Sequence, residues 1–244
     1  MPWSRGTDQI KMNVGEYSYY ENRDFIDHLA TLGKAYLDTP GISEVPMGVT
    51  QERYLTSLVT NLAKHNELFF VAPASPVFHV IKIQTPFCFS LPGGQFFFSL
   101  GMLQKYIRTE GMLVSIIAFE MIRSYRNIYR KTVTVPVGEI STEKLMSLTR
   151  LPLTERMQIH KWANSLMRRS GDDSSAYLDW IQIQNRNGLD FILHIGEAKM
   201  ISQEEFLYKK YVIDNRLNES DSKRVVNPSR GFYEFINFMK RVTP

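Results

Sequence analysis

The feature that most constrains this chain is a long apolar helix near its middle, predicted from about Thr109 to Lys131. Thr109 supplies the hydroxyl that suits the residue capping the start of a helix. Apolar residues then recur at helical spacing: Leu113, Ile116, Ile117 and Phe119. Glu120 and Arg123 interrupt this pattern. Because they are three residues apart, they share one face of the helix and can form an ion pair.

The segments on either side predict further helices and one group of strands. The predicted helices cover 21–38, 50–65 with Thr50 as its cap, 154–171 and 173–187. A further helix is opened by a Ser202–Glu205 capping box. A last helix follows Pro228, with its inward face predicted to be Phe232, Phe235, Ile236 and Met239. The predicted strands lie between 69 and 98, in the runs FFVA, VFHVIKI, FCFSL and QFFFSL, with a Pro92-Gly93-Gly94 turn before the last one. The economical interpretation is one α+β domain over 1–244, with an arm over 1–20 and an excursion over 132–152.

Composition and charge are those of an ordinary globular protein of 244 residues. The 29 Lys and Arg residues barely exceed the 25 Asp and Glu residues and are spread along the chain, so we expect no nucleic-acid partner. The single cysteine, Cys88, excludes an internal disulfide and any cysteine-rich zinc site. No apolar run reaches the roughly 18 residues of a membrane-spanning helix. We expect a soluble chain, whose link to a membrane would be a signal or anchor trimmed from the mature protein.

An ordered set of motifs runs from Phe89 to Arg123. Its members are Phe89, Leu91-Pro92-Gly93-Gly94, Gly101, Leu103, Glu110 and Glu120. In this order and spacing the set resembles the HtpX-like, Oma-type and BepA-like zinc metallopeptidases, a gluzincin family. The resemblance implies a gluzincin-like α+β fold that is mostly helical, with a small sheet beside the active-site helix.

The departures from the family fall on its chemistry. The family motif H-E-x-x-H places two histidines on one helical face, where they share a zinc ion, and its glutamate polarises the zinc-bound water. In this chain the two histidine positions are Phe119 and Arg123, and the glutamate is present as Glu120. The resemblance further aligns Ser175 with the third ligand, a glutamate, and Tyr177 with an aspartate that supports the site. Asn227 aligns with the histidine of a His-Pro pair found in many members.

Neither side chain at the two histidine positions can bind zinc. Phe119 has no lone pair to offer, and Arg123 keeps its proton at physiological pH. The histidines of the chain contain no pair with the spacing that could replace them: His28, His65, His79, His160 and His194. We therefore expect no metal and no cofactor, and we expect Arg123 to act as a surrogate for the metal beside Glu120.

The favoured function is that of a catalytically inactive pseudopeptidase that binds a protein or peptide. Gluzincins hold an extended substrate by adding it to the edge strand beside the active-site helix, which needs no metal. The aromatic residues that would build this sheet are Phe87, Phe89, Phe96, Phe97 and Phe98. Family analogy alone places the protein in the bacterial envelope or periplasm, where it would regulate or scaffold an envelope process.

Two alternatives remain at this stage. A metal-independent enzyme would use the polar groups around the cleft: Glu120, Arg123, Ser175, Tyr177 and Asn227. A purely structural subunit with a vestigial cleft would make its contacts through the aromatic arm or through the excursion over 132–152. A filled cleft favours the structural subunit, whereas an open groove beside an unpaired edge strand favours peptide binding.

Overall fold

A computed structural model describes residues 19–66, 75–130, 138–215 and 228–243 of the chain. Within these ranges the helices are α1 (Tyr19–Leu37), α2 (Val49–Lys64), α3 (Leu100–Lys105), α4 (Glu110–Tyr125), α5 (Thr142–Thr149), α6 (Leu153–Ser170), α7 (Ser175–Arg186), α8 (Ile192–Ile195), α9 (Ala198–Asp214) and α10 (Arg230–Arg241). The strands are β1 (Val77–Ile81), β2 (Cys88–Leu91) and β3 (Gln95–Ser99). The described chain is therefore α+β and mostly helical, as predicted.

The three strands form one mixed sheet in the order β1-β3-β2. β1 runs parallel to the central strand β3, and β2 runs antiparallel to it. The predicted turn between β2 and β3 is present, and Gly93 and Gly94 both adopt a φ of 81° there. Glycine suits this left-handed conformation because it has no Cβ atom.

The sheet separates two hydrophobic clusters, because successive side chains of a strand point to opposite faces. Phe96 and Phe98 belong to the larger cluster, which includes the buried residues of α4, α6 and α7. Phe97, Phe87 and Phe89 belong to the smaller cluster, with α1 and α5. All five rings are core residues, each at most 1% exposed.

The apolar helix is confirmed as α4, and the Thr109 hydroxyl accepts a hydrogen bond from the Met112 N–H at 3.3 Å, as predicted. The helix ends at Tyr125 rather than near Lys131. Asn127 follows with a φ of 52°, which turns the chain away from the helix axis. From Met112 to Ser124 every residue of α4 is buried. This helix therefore lies inside the protein and carries Glu120 and Arg123 into its core.

Most predicted helices are confirmed within a few residues of their ends, but two predicted caps are wrong. The cap of α2 is Gly48, and Thr50 lies inside that helix. The Ser202–Glu205 pair opens no helix, because α9 already begins at Ala198. Both side chains instead form hydrogen bonds with Asn185 of α7.

Several predictions lie outside the described residues. These are the FFVA strand, the start of the excursion, Asn227 and the arm up to residue 18, whereas the last two positions of the predicted arm belong to α1. In the part of the chain that is described, no helix combines the length and the apolar character that crossing a membrane requires.

Candidate functional site

The predicted ion pair between Glu120 and Arg123 is present in the C-terminal half of α4. The Arg123 Nη1 atom lies 3.1 Å from both carboxylate oxygens of Glu120, and the two side chains are only 2–3% exposed. The Ser90 hydroxyl of β2 donates to the Glu120 carboxylate at 2.8 Å. The Arg123 Nη2 atom donates to the carbonyl oxygen of Thr149 at the end of α5. The pair therefore joins α4 to the sheet on one side and to the excursion on the other.

A second buried charged group lies close to this pair, on helices α6, α7 and α9. Arg156 donates to Glu204 through Nε and Nη2, each 2.8 Å from Oε1. The Nε2 atom of His160 also donates to that carboxylate. The other ring nitrogen, Nδ1, then accepts from the Tyr177 hydroxyl at 2.8 Å. Tyr177, His160, Glu204 and Arg156 thus form one continuous hydrogen-bonded chain.

The environment sets the charge of each member of this chain. Burial lowers the pKa of His160 below its usual value, although the nearby Glu204 carboxylate opposes this shift. Burial alone would raise the pKa of Glu204, but Arg156 and His160 outweigh it and lower that pKa to about 2. Burial raises the pKa of Tyr177 well above its usual value. At neutral pH the chain therefore contains an ionised Glu204, a neutral imidazole and a neutral phenol.

A small cavity, which we call the central cavity, lies between the two charged groups. It has a volume of about 20 Å³, enough for about one water molecule. Its lining residues come from β2 and from helices α4, α6, α7 and α8, and they include Cys88, Phe119, Glu120, Tyr177, His160, Arg156 and His194. Burial raises the pKa of the Cys88 thiol, and the Glu120 carboxylate adds to that shift. The cavity is therefore a small, mostly apolar space whose lining includes several polar side chains.

Phe119 occupies the histidine position of the family motif with a packed ring. The ring lies 4.9 Å from the His160 ring, centroid to centroid. The Arg156 guanidinium lies over it, 5.3 Å from the centroid, in a favourable cation–π arrangement. The Arg156 guanidinium thus lies over the Phe119 ring, and the Arg123 guanidinium pairs with the Glu120 carboxylate.

The structure brings together only part of the predicted site. Phe119, Glu120 and Tyr177 line the cavity, and Arg123 lies beside it. Ser175 is exposed at the start of α7, where its hydroxyl binds the Asp173 carboxylate at 2.5 Å. The positions aligned with the zinc ligands therefore do not converge on one point, and their side chains do not suit zinc.

No group of three or more His, Cys, Asp or Glu side chains lies together as a metal site among the described ranges. The predicted absence of metal from the protein stays a prediction.

Sequence reasoning missed the second charged group. It treated His160 and His194 as unremarkable histidines and did not single out Arg156 or Glu204. One signal was present: Arg156 and His160 are four residues apart and share a helical face with Ala163, which is apolar. Two polar residues on the inward face of a helix indicate a buried polar network.

Both edge strands are contacted by other parts of the chain. Along β1, the Val45 N–H donates to the Val80 carbonyl oxygen and the Lys82 N–H donates to the Ser43 carbonyl oxygen, both at 2.8 Å. Along β2, the Tyr129 hydroxyl donates to the Ser90 carbonyl oxygen at 3.1 Å. Helix α5 packs against β2 as well. The outer edge of β2, which lies beside the central helix α4, is therefore covered by Tyr129 and by α5 of the excursion.

No protein-family model matches the sequence, and no curated protein matches it significantly. The likeness to zinc metallopeptidases therefore rests on the motif residues between Phe89 and Arg123.

Proposed function

We propose that this chain is a catalytically inactive, metallopeptidase-like protein that acts by binding another protein through its outer surface. The observation that carries the proposal is the Glu120–Arg123 pair and its bond to the Thr149 carbonyl oxygen. If the motif resemblance is right, this pair stands where the family holds zinc. A positive guanidinium there repels a divalent cation, and the excursion holds the guanidinium in place.

The filled space beside α4 favours outer-surface contacts over the addition of a peptide strand to β2. A strand added to β2 would need its outward-facing carbonyl and N–H groups. The Tyr129 hydroxyl already occupies the Ser90 carbonyl oxygen, and all four residues of β2 are buried. These contacts support the purely structural subunit with a vestigial cleft over the peptide binder.

A metal-independent enzyme is the second candidate, and the chain Tyr177–His160–Glu204 is the observation that favours it. An imidazole held between a hydroxyl and a carboxylate has the order of groups found in acid–base catalysis. However, all three side chains are buried, and the adjoining cavity holds about one water molecule. A substrate would reach them only after the helices around the cavity separate.

A location in the bacterial envelope or periplasm is part of the proposal. It rests on family analogy alone, which is a weaker support than a feature of the site.

The catalytic part of the proposal is tested by metal content and proteolysis on the same samples. Plasma mass spectrometry would measure zinc in the purified protein before and after dialysis against zinc, and casein hydrolysis would be assayed on each sample beside an active zinc peptidase. We expect neither bound zinc nor cleavage. Stoichiometric zinc together with cleavage would show that the alignment of the ligands is wrong.

The binding part is tested with extended peptides. Fluorescence anisotropy of labelled fragments of reduced casein would be measured against the wild-type protein and the Tyr129→Phe variant, which frees the Ser90 carbonyl oxygen. We expect no saturable binding to the wild type. Saturable binding that becomes tighter in Tyr129→Phe would instead favour strand addition at β2, and the filled-cleft proposal would be abandoned.

A further inference from the structure

Helix α8 is a single turn that carries His194 to the wall of the central cavity. His194 is only 8% exposed, and its Nδ1 atom has no hydrogen-bond partner among the described residues. A buried nitrogen without a partner costs free energy, so this imidazole is held in the core by its surroundings and not by a bond at Nδ1.

The charges around His194 disfavour a positive imidazole. The groups that face this region are Glu120 and Arg123 from α4, Arg150 after α5, Arg156 and His160 from α6, Tyr177 from α7, Glu204 from α9 and Cys88 from β2. Glu120 is paired with Arg123 and Glu204 with Arg156. The third guanidinium, that of Arg150, binds the carbonyl oxygen of Leu193 at 3.0 Å, directly beside His194. A protonated His194 would thus be a fourth cation beside two carboxylates, each of which is already paired with a guanidinium.

The way α8 is attached to the rest of the protein allows it to move when His194 becomes positively charged. The helix has four residues, too few for a stable helix by itself. It ends at Gly196, whose φ of 114° is open to glycine and strained for other residues. Its described anchors are the bond from Arg150, the buried side chains of Phe191 and Ile195, and the packing of α8 against α5 and α9. A displacement of α8 therefore breaks one described hydrogen bond from outside the helix, and it stays small if Phe191 keeps its contacts with the Tyr106 and Trp180 rings.

From this geometry we propose that His194 is an acid-sensitive latch: its protonation drives the imidazole into solvent, displaces α8 and opens the central cavity. His160 does not serve this role, because both of its ring nitrogens are hydrogen-bonded to Tyr177 and Glu204. The low pKa that burial and the neighbouring arginines impose on His194 agrees with this assignment. The latch does not depend on what the protein binds.

The single cysteine gives a direct measurement of opening, because Cys88 lines the cavity and is buried. Labelling with dithiodipyridine, which reacts with thiols in acid, would be followed from about pH 8 to pH 5, relative to the urea-unfolded chain at each pH. One proton taken up on opening raises the open fraction up to about tenfold per pH unit below about pH 6.5. We expect this slope in the wild type and a flat profile in His194→Gln. His65→Gln, which changes an exposed histidine, should keep the wild-type slope.

Two results would overturn the latch. The first is an equal slope in His194→Gln and the wild type, which would assign the opening to other groups. The second is a titration of the His194 imidazole, followed by NMR in the wild type, while Cys88 labelling does not change with pH. His194 would then be protonated in place, for example against the unpartnered Oε2 of Glu204. If His194→Gln does not fold at pH 8, wild-type hydrogen exchange in the peptide 187–197 decides the question. Exchange there must rise in acid before exchange in α4 does, after correction for intrinsic rates.

Discussion

Replacing Arg123 by methionine is the sharpest perturbation of the central ion pair. Methionine keeps much of the unbranched side-chain volume but removes the charge, so that Glu120 loses both 3.1 Å contacts with Nη1. The carbonyl oxygen of Thr149 loses its guanidinium donor as well. Of the donors that the described residues provide, the Ser90 hydroxyl, at 2.8 Å, would still donate to the carboxylate. The variant therefore leaves a negative charge in the core with a single neutral donor.

The expected loss follows from the burial of both side chains, which are only 2–3% exposed. Removing one partner of a buried pair costs about 3–5 kcal/mol, because the remaining charge is neither solvated nor paired. Replacing both partners by neutral groups of similar shape costs much less. We therefore expect Arg123→Met to lose about 3–5 kcal/mol of unfolding free energy. The double variant Glu120→Gln/Arg123→Met should recover at least about 2 kcal/mol of that loss.

Urea unfolding followed by tryptophan fluorescence measures these differences, since the chain has three tryptophans. The wild type, the two single variants and the double variant would be compared at pH 7.5. Their unfolding free energies must depend on urea concentration with equal slopes. Arg230→Ala is the matched control: it breaks an i, i+4 pair with Glu234 whose arginine is 92% exposed, and exposed pairs contribute at most about 1 kcal/mol. A loss below about 1 kcal/mol in Arg123→Met, equal to that of the control, would refute the surrogate role of Arg123.

Three further predictions concern the cap of α10, the β2–β3 turn and acid stability. Glu110→Gln should lose about 1.5 kcal/mol in urea unfolding, because the carboxylate accepts bonds from the Tyr54 hydroxyl and from the N–H and hydroxyl of Ser229, the cap of α10, and a neutral amide accepts them more weakly; a change within error would contradict it. Gly93→Ala and Gly94→Ala should both lower the melting temperature, since each glycine has a φ of 81°. The loss should be greater at Gly94, where a Cβ atom would lie 2.7 Å from the Tyr125 hydroxyl, and an equal loss would count against this reasoning. Melting temperatures should fall below about pH 6.5, because burial lowers the pKa of both His160 and His194 in the folded state and the unfolded chain takes up these protons first; a flat profile down to pH 5 would exclude this.

The elements that sequence predicts well are those whose signal is local. The buried face of α10 was predicted residue by residue, and Phe232, Phe235, Ile236 and Met239 are its buried side chains. The Glu120–Arg123 pair was predicted for the same reason, since two residues three apart on a helix always share a face. The false capping box of Ser202 and Glu205 shows the limit. The local pattern was present, but Asn185 of another helix binds both side chains.

The second charged group could not be predicted in this way, because its members come from distant parts of the chain. Tyr177 is 17 residues from His160, and Glu204 is 44 residues from it. Only the packing of α9 against both α6 and α7 brings these side chains within hydrogen-bonding distance. The positions aligned with the zinc ligands do not converge for a related reason. A shift of one residue in the alignment decides whether the aligned residue of α7 faces the core. Tyr177 faces it, whereas Ser175 does not.

The two charged groups together explain how a core of this kind can contain four ionised side chains. A carboxylate in an apolar interior needs a compensating charge, and a metal ion or a guanidinium can supply it. Here Arg123 compensates Glu120 and Arg156 compensates Glu204, so each carboxylate already has its cation. A divalent ion added beside them would bring two unbalanced charges, with Arg156 standing directly over the Phe119 ring. If the chain descends from a zinc peptidase, restoring histidines at Phe119 and Arg123 alone would therefore not restore metal binding, because Glu120 would lose its partner while Arg156 stayed in place.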